Sequence, residues 1–112
     1  GVSHDDQFGP IVVVGFGGIY AEVLNDVAVL MPPFSAATVK KALVSLTLYP
    51  LLEGSRGAGS VDINSYCEAA SVLSQVALSL KDTVAEIDIN PLKLRVNGCA
   101  GLDALMVLKK ES

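Results

Sequence analysis

The sequence predicts an α+β layer fold, and three observations carry that prediction. Strand-like patterns come first, two helical patterns follow, and strand-like patterns return at the end. The connections among the first strands are too short for parallel crossovers, so an antiparallel meander is expected there. Near the end, Asn97-Gly98 lies between two strand-like runs, a strong short-range hairpin signal.

Ile11-Val12-Val13-Val14 is a β-branched run, read as a buried strand. Gly15-Phe16-Gly17-Gly18 breaks it, Ile19 to Leu24 resumes strand character, and Asn25-Asp26 signals a turn. Val27 to Met31 makes a third strand, closed by Pro32-Pro33. Ser35 suits the N-cap of a helix in which Val39, Ala42, Leu43 and Leu46 share a face. Tyr49-Pro50 is expected to end that helix, and Leu51 to Ser60 reads as a Gly- and Ser-rich loop carrying Glu53 and Arg56. Asp62 caps a longer helix, with Ile63, Tyr66, Cys67, Ala70, Leu73, Ala77 and Leu80 on one face. Leu92 to Arg95 and Cys99 to Leu108 are expected as the two arms of the last hairpin.

With 112 residues the chain is long enough for one domain with a real core. Apolar residues make up 51% and charged residues 18%, and the mean hydropathy is +0.51. A segment that normally rests against another domain shows that kind of excess. The chain opens on Gly-Val-Ser and reads equally as a processed chain or as an excised part of a longer one. The most apolar stretch, Ile11 to Leu24, contains three glycines and Glu22 and is shorter than the roughly 20 residues a spanning helix needs, so no membrane role is expected. A net charge of −4 without a basic run argues against nucleic acid. Cys67 and Cys99 read as buried free thiols of a reducing compartment, and a cytoplasmic protein is expected.

Glu86-Ile87-Asp88-Ile89-Asn90-Pro91-Leu92 is the most informative stretch. In a strand, Glu86, Asp88 and Asn90 share one face and the two isoleucines the other. Same-face neighbours stand about 6.6 Å apart, so two carboxylates there repel each other. A divalent cation relieves that repulsion, and hard cations prefer carboxylate and amide oxygens. A half-solvated sheet shows the same alternation, and the row alone leaves both readings open. With Asn97 and Gly98 as the two turn residues, Val96 pairs with Cys99 and Asp103 falls opposite Leu92. A small register shift then brings Asp103 to the face of Asp88 and Asn90. Asp103 stands among Leu102, Ala104 and Leu105, where an unpaired carboxylate is costly. One cation on Asp88, Asn90 and Asp103 has few protein ligands, the habit of Mg²⁺, which completes its shell with water and phosphate oxygens. Zinc is disfavoured, because no cysteine or histidine lies near in sequence.

With these residues in hand, the chain resembles the ATP-grasp part of the nucleoside-diphosphate-forming acyl-CoA synthetases. It is most similar to the β-subunit type of ADP-forming acetyl-CoA synthetase, with succinyl-CoA synthetase β subunits as more distant relatives. Five segments carry the resemblance: Asp5-x-x-Phe8-Gly9-Pro10, Gly15 to Asp26, Tyr49 to Gly57, Glu86 to Leu92, and Gly101-Leu102-Asp103-Ala104. The resemblance covers all of residues 1–112 as one ATP-grasp C-terminal subdomain, a fragment of a larger protein. It implies a mostly antiparallel sheet with two helices packed on one side. His4 stands where basic residues are common in relatives, and it reads as a surface histidine without a role.

The resemblance implies Asn90 and Asp103 as Mg²⁺ ligands bridging to the phosphates of ATP or ADP. Asp88 is implied as a third ligand, or as the residue that orients a phosphohistidine. Gly17 and Gly18 let backbone amides approach a phosphate, or merely form a tight turn. Glu22 faces the nucleotide or solvent, and Arg56 meets a phosphate or lies on the surface. In such enzymes acyl-CoA and phosphate give an acyl phosphate, and the phosphoryl group passes through a histidine to ADP. The implied partners are the N-terminal ATP-grasp subdomain, CoA-binding and ligase-CoA domains, CoA and a small carboxylic acid. Alone, the segment is expected to be inactive. A competing expectation is a non-catalytic, acyl-CoA-sensing module of a protein lysine acetyltransferase.

Overall fold

The structure is a computed structural model, and it describes residues 1–16, 26–53, 61–89 and 92–110. Of the residues singled out above, Gly17, Gly18, Glu22, Arg56 and Asn90 lie outside the described residues, as does the strand expected over 19–24.

The chain opens with a hairpin that local sequence patterns do not announce. Strand β1 (Val2–Asp5) pairs antiparallel with β2 (Gly9–Gly15), from Val2 opposite Val12 to Asp5 opposite Gly9. Asp5 Oδ1 accepts from the Gln7 and Phe8 N–H groups at 2.8 and 3.0 Å, which sets the turn. The polar run His4-Asp5-Asp6 hides β1 from a pattern search, because only Val2 is buried on that strand. β2 behaves as expected: Val12 and Val14 point inward and are fully or nearly fully buried. Strand β3 (Val27–Leu30) completes this side, pairing from Gly15 opposite Val27 to Val12 opposite Leu30.

Helix α1 (Ala36–Val44) starts where Ser35 predicts: Ser35 Oγ accepts the Thr38 N–H at 3.2 Å. Tyr49-Pro50 does not terminate that helix, which is already over at Ser45. The pair instead opens a second short helix, α2 (Tyr49–Leu52). Proline is tolerated in a first helical turn, where its missing N–H has no partner to lose. Helix α3 (Ile63–Ser79) buries Ile63, Cys67, Ala70, Ser74 and Ala77, four of them at the predicted positions. Ser74 Oγ accepts the Phe34 N–H and donates to Ser71 O, and Ser71 Oγ donates to Phe34 O, so two serines tie the entry of α1 to α3. Helices α1 and α3 pack on each other and against β2. Val12, Val39, Leu43 and Cys67 meet in the core, where each full side-chain burial contributes about 1.5–3 kcal/mol.

The second half holds β4 (Val84–Ile89), β5 (Leu92–Leu94), β6 (Cys99–Gly101) and β7 (Ala104–Leu108). The main sheet has the order β3-β2-β1-β4-β7, with β5 and β6 forming a separate pair. Every described pairing is antiparallel. The return arm expected over 99–108 is thus two strands, interrupted at Leu102 and Asp103. Both cysteines are free thiols; Cys67 is buried as expected, whereas Cys99 is only half-buried. Among the described residues no helix is long and apolar enough to cross a membrane.

Candidate functional site

The alternation read in the acidic strand holds. Glu86 and Asp88 are exposed on one face of β4, while Ile87 is buried and Ile89 half-buried on the other. One irregularity sets this phase. Val84 pairs with Leu108 and Glu86 with Val107, so Ala85 is an extra residue, a β-bulge. Without the bulge, Val84, Glu86 and Asp88 would share a face. With it, Val84 and Ile87 both point inward, at 4% and 7% exposure, and the carboxylates point out.

The hairpin register differs from the expected one. Leu94 pairs with Cys99 and Leu92 with Gly101, so the loop has four residues, Arg95 to Gly98, and not two. The Arg95 N–H donates to Gly98 O at 3.0 Å, and Gly98 takes a positive φ of 89°. Asp62 explains the longer loop. Its Oδ1 accepts the Ser65 N–H at 3.0 Å, capping α3, while Oδ2 accepts from Ser65 Oγ and the Gly98 N–H, each at 2.7 Å. The Asp62 N–H also donates to Arg95 O at 2.6 Å. The cap of α3 therefore clamps both ends of the loop, a constraint invisible to local turn chemistry.

The longer loop moves Asp103 two positions toward Asp88. In β4 and β7, Asp88 pairs with Leu105 and Ile89 with Ala104, the same offset as in β5 and β6. Asp103 thus stands diagonally across from Asp88, two residues from its direct partner Leu105. Such diagonal neighbours lie about 7–8 Å apart, close enough for two carboxylates to share one ion. Asp103 is exposed, and its Oδ1 accepts the Ala104 N–H at 2.9 Å. The expectation that burial penalises this carboxylate is therefore wrong: Leu102, Ala104 and Leu105 are exposed too. What recommends the pair is position.

The donor chemistry fits Mg²⁺. Two hard carboxylates on one open face match an ion that takes one or two protein carboxylates and completes its shell elsewhere. Among the described residues no group of three or more His, Cys, Asp or Glu side chains gathers around one point. A separate open cavity of about 600 Å³ is lined by Lys40, Tyr49, Glu53, Val61, Asp62 and Asn64. Neither Asp88 nor Asp103 reaches it.

The ATP-grasp domain profile matches residues 1–108. The chain belongs to the ATP-grasp family. That makes it part of a nucleotide-binding fold. This ATP-grasp chain is 38% identical over 112 residues to the trans-feruloyl-CoA synthase FCS1 of an unknown prokaryotic organism, covering 98% of this chain and 16% of that protein. It is 33% identical to the β subunit of ADP-forming acetate–CoA ligase II of Pyrococcus furiosus, covering 97% of this chain and 47% of the subunit. Among solved structures it superposes with a TM-score of 0.90 and 30% identity on acetyl-coenzyme A synthetase 1 of Ca. Korarchaeum cryptofilum, covering 96% of this chain and 50% of that one. That structure holds coenzyme A and Mg-AMPPCP, with a phosphohistidine segment pointing towards the nucleotide-binding site. The ATP-grasp chain thus spans half or less of each of these relatives.

Three anchoring residues are not apparent from sequence. Asp26, read as a turn signal, is buried at 4% exposure. Its two oxygens accept from the Thr47 N–H at 2.7 Å and the Leu48 N–H at 2.9 Å. Tyr66, read as a core residue, accepts the Gly15 N–H at its hydroxyl oxygen, 3.3 Å away, and burial raises the pKa of that hydroxyl. His4 is not a surface histidine: it is half-buried, and its Nδ1 lies 2.9 Å from Ala85 O. Tyr66 thus anchors Gly15, the Asp26 carboxylate anchors residue 26 to Thr47 and Leu48, and the Phe16 N–H donates to Asp26 O at 3.2 Å, so both flanks of residues 17–25 are tied down.

Proposed function

We propose that this chain is the C-terminal ATP-grasp subdomain of a longer ADP-forming acyl-CoA synthetase, and that it supplies the magnesium–nucleotide side of phosphoryl transfer. The reading is supported above all by register: Asp88 pairs with Leu105, two residues from Asp103, and both carboxylates are exposed. Asn90, two residues beyond Asp88, is the third oxygen donor of the proposed set. When bound there, Mg²⁺ would neutralise phosphate oxygens as charge is redistributed between donor and acceptor. The chain's own residues do the positioning. Ile87 and Ile89 pin β4 to the core side, which holds the carboxylates at fixed spacing on the side open to a nucleotide tail.

Gly17 and Gly18 are proposed to bring backbone N–H groups to a phosphate, Glu22 to face the nucleotide, and Arg56 to meet a phosphate or phosphohistidine. Asp88 is also proposed to orient such a phosphohistidine. The proposed partners are an N-terminal ATP-grasp half, CoA-binding domains, CoA and a carboxylic acid. The acid itself is selected outside this segment. Relatives named for ferulate, acetate and 4-hydroxybutyrate match it at 38%, 33% and 36% identity, so what they share here is the nucleotide half of the reaction.

The test uses the full-length protein with Asp88→Ala and Asp103→Ala, assayed for Mg²⁺-dependent formation of ATP from ADP, phosphate and acyl-CoA. Loss in both supports the reading, and unchanged activity in both removes it. A full-length protein that binds acyl-CoA without phosphoryl transfer supports the sensing module instead.

A further inference from the structure

The bulge at Ala85 decides which way Asp88 points, so whatever holds the bulge holds the site. A bulge disrupts the local ladder, and the backbone carbonyl of the extra residue, here that of Ala85, still needs a partner. The side chain of His4, 81 residues earlier in the chain, meets that carbonyl at 2.9 Å. A carbonyl oxygen only accepts, so Nδ1 is the protonated nitrogen and donates. Nε2 is buried and has no hydrogen-bond partner among the described residues. The ring is thus held through Nδ1 alone.

The join between β1 and β4 makes this contact weigh more. Their one registered pair is Val2 with Ile87. Two residues further along each strand, the antiparallel register brings His4 beside Ala85. There the ladder gives way to the side-chain bond. On its other side His4 faces Pro10, which has no N–H to offer. The His4 ring therefore adds a side-chain hydrogen bond to the single registered pair that joins β1 to β4 among the described residues.

We propose that His4 is a positioning residue for the acidic face: by donating to Ala85 O it locks the β4 bulge and so fixes the outward phase of Glu86 and Asp88. This rests on the reading of Asp88 as a magnesium ligand. His4 touches neither ion nor nucleotide.

The test uses the full-length protein with His4→Ala, His4→Asn and His4→Gln, beside Asp88→Asn. The amide of Asn places a donor near the Nδ1 position, whereas that of Gln mimics Nε2. Two quantities are measured: hydrogen–deuterium exchange of residues 84–89 in metal-free buffer, and the Mg²⁺ concentration for half-maximal activity against kcat at saturating Mg²⁺. Expected for His4→Ala and His4→Gln is faster exchange and a Mg²⁺ requirement raised about 3- to 10-fold, below the range for a partner touching the ligand itself. kcat at saturation stays within about twofold, because no group that touches the metal is removed. His4→Asn restores both. A wild-type Mg²⁺ requirement in His4→Ala, with Asp88→Asn impaired, overturns the role of His4 and leaves the metal reading standing. Equal impairment of Asn and Gln variants also overturns it. A normal requirement in Asp88→Asn removes both. Should His4→Ala fail to fold, the contrast of Asn with Gln decides between the same two outcomes.

Discussion

The Asp62 carboxylate and the Gly98 N–H, 36 residues apart, are joined by a 2.7 Å hydrogen bond that fastens a helix cap to a hairpin loop. The same carboxylate accepts from the hydroxyl and the N–H of Ser65. These three donors, Ser65 Oγ foremost, lower its pKa below the usual carboxylate value. A depressed folded-state pKa adds stability that is complete above the unfolded pKa and is lost as pH falls through the folded one. Asp62→Asn should therefore lower Tm at pH 6, with the gap from wild type closing below about pH 4. Melting curves from pH 6 to pH 2 check this. A gap independent of pH would show that the charge of Asp62 contributes nothing.

Asp26 is the more deeply buried carboxylate, and its two acceptors serve consecutive N–H groups, those of Thr47 and Leu48. Asp26→Ala orphans both and should cost about 1.5–3 kcal/mol in urea unfolding. Asp26→Asn keeps one acceptor but turns an amide donor toward the other N–H, so it should fall between. Amide exchange at Thr47 and Leu48 should quicken in both variants. Unchanged exchange there would mean that the bonds are not maintained in solution.

Gly15 has φ of 148°, and a Cβ there would stand 2.6 Å from Asp26 O and 2.7 Å from Val27 Cα. Backbone cannot yield as a flexible side chain does. Gly15→Ala should lose more than about 3 kcal/mol, combining backbone strain with that clash. Tyr66→Phe, which only removes the acceptor of the Gly15 N–H, should cost about 1 kcal/mol. The contrast in denaturant midpoints checks the assignment; similar losses in the two would contradict it.

If Asp88 and Asp103 share one ion, their substitutions cannot be additive. In the full-length protein, Asp88→Asn and Asp103→Asn should each weaken Mg²⁺ binding, and the double variant should lose less than the two effects combined. The coupling expected for groups on one partner is about 0.5–3 kcal/mol. Strict additivity in Mg²⁺ titrations would mean that the two carboxylates act on separate partners.

The fold is most legible where one residue type acts on its own neighbourhood. Ser35 and Asp62 cap the helices they precede, and the alternation from Glu86 to Ile89 reports the two faces of β4 directly. Legibility fails where a distant residue decides. The number of residues in the 95–98 loop depends on Asp62, and the phase of β4 on an extra residue that no local pattern marks. His4 meets its partner across most of the chain, so no window of sequence contains both. Tyr49-Pro50 misleads for another reason. Proline permits the start of a helix as readily as it enforces an end, and composition alone does not choose. The approach of Asp103 to Asp88 is legible as a possibility of register, although the burial argument for Asp103 is mistaken.

Strand β7 lies at the outer edge of the sheet as described, with Leu105, Met106 and Leu108 between 51% and 63% exposed. Its outward flank carries main-chain donors and acceptors that, among the described residues, pair with nothing. Such a rim is a template for strand addition. Expressed as an isolated piece, the segment should dimerise or precipitate as its concentration rises, and a lysine introduced at Val107 should keep it in solution.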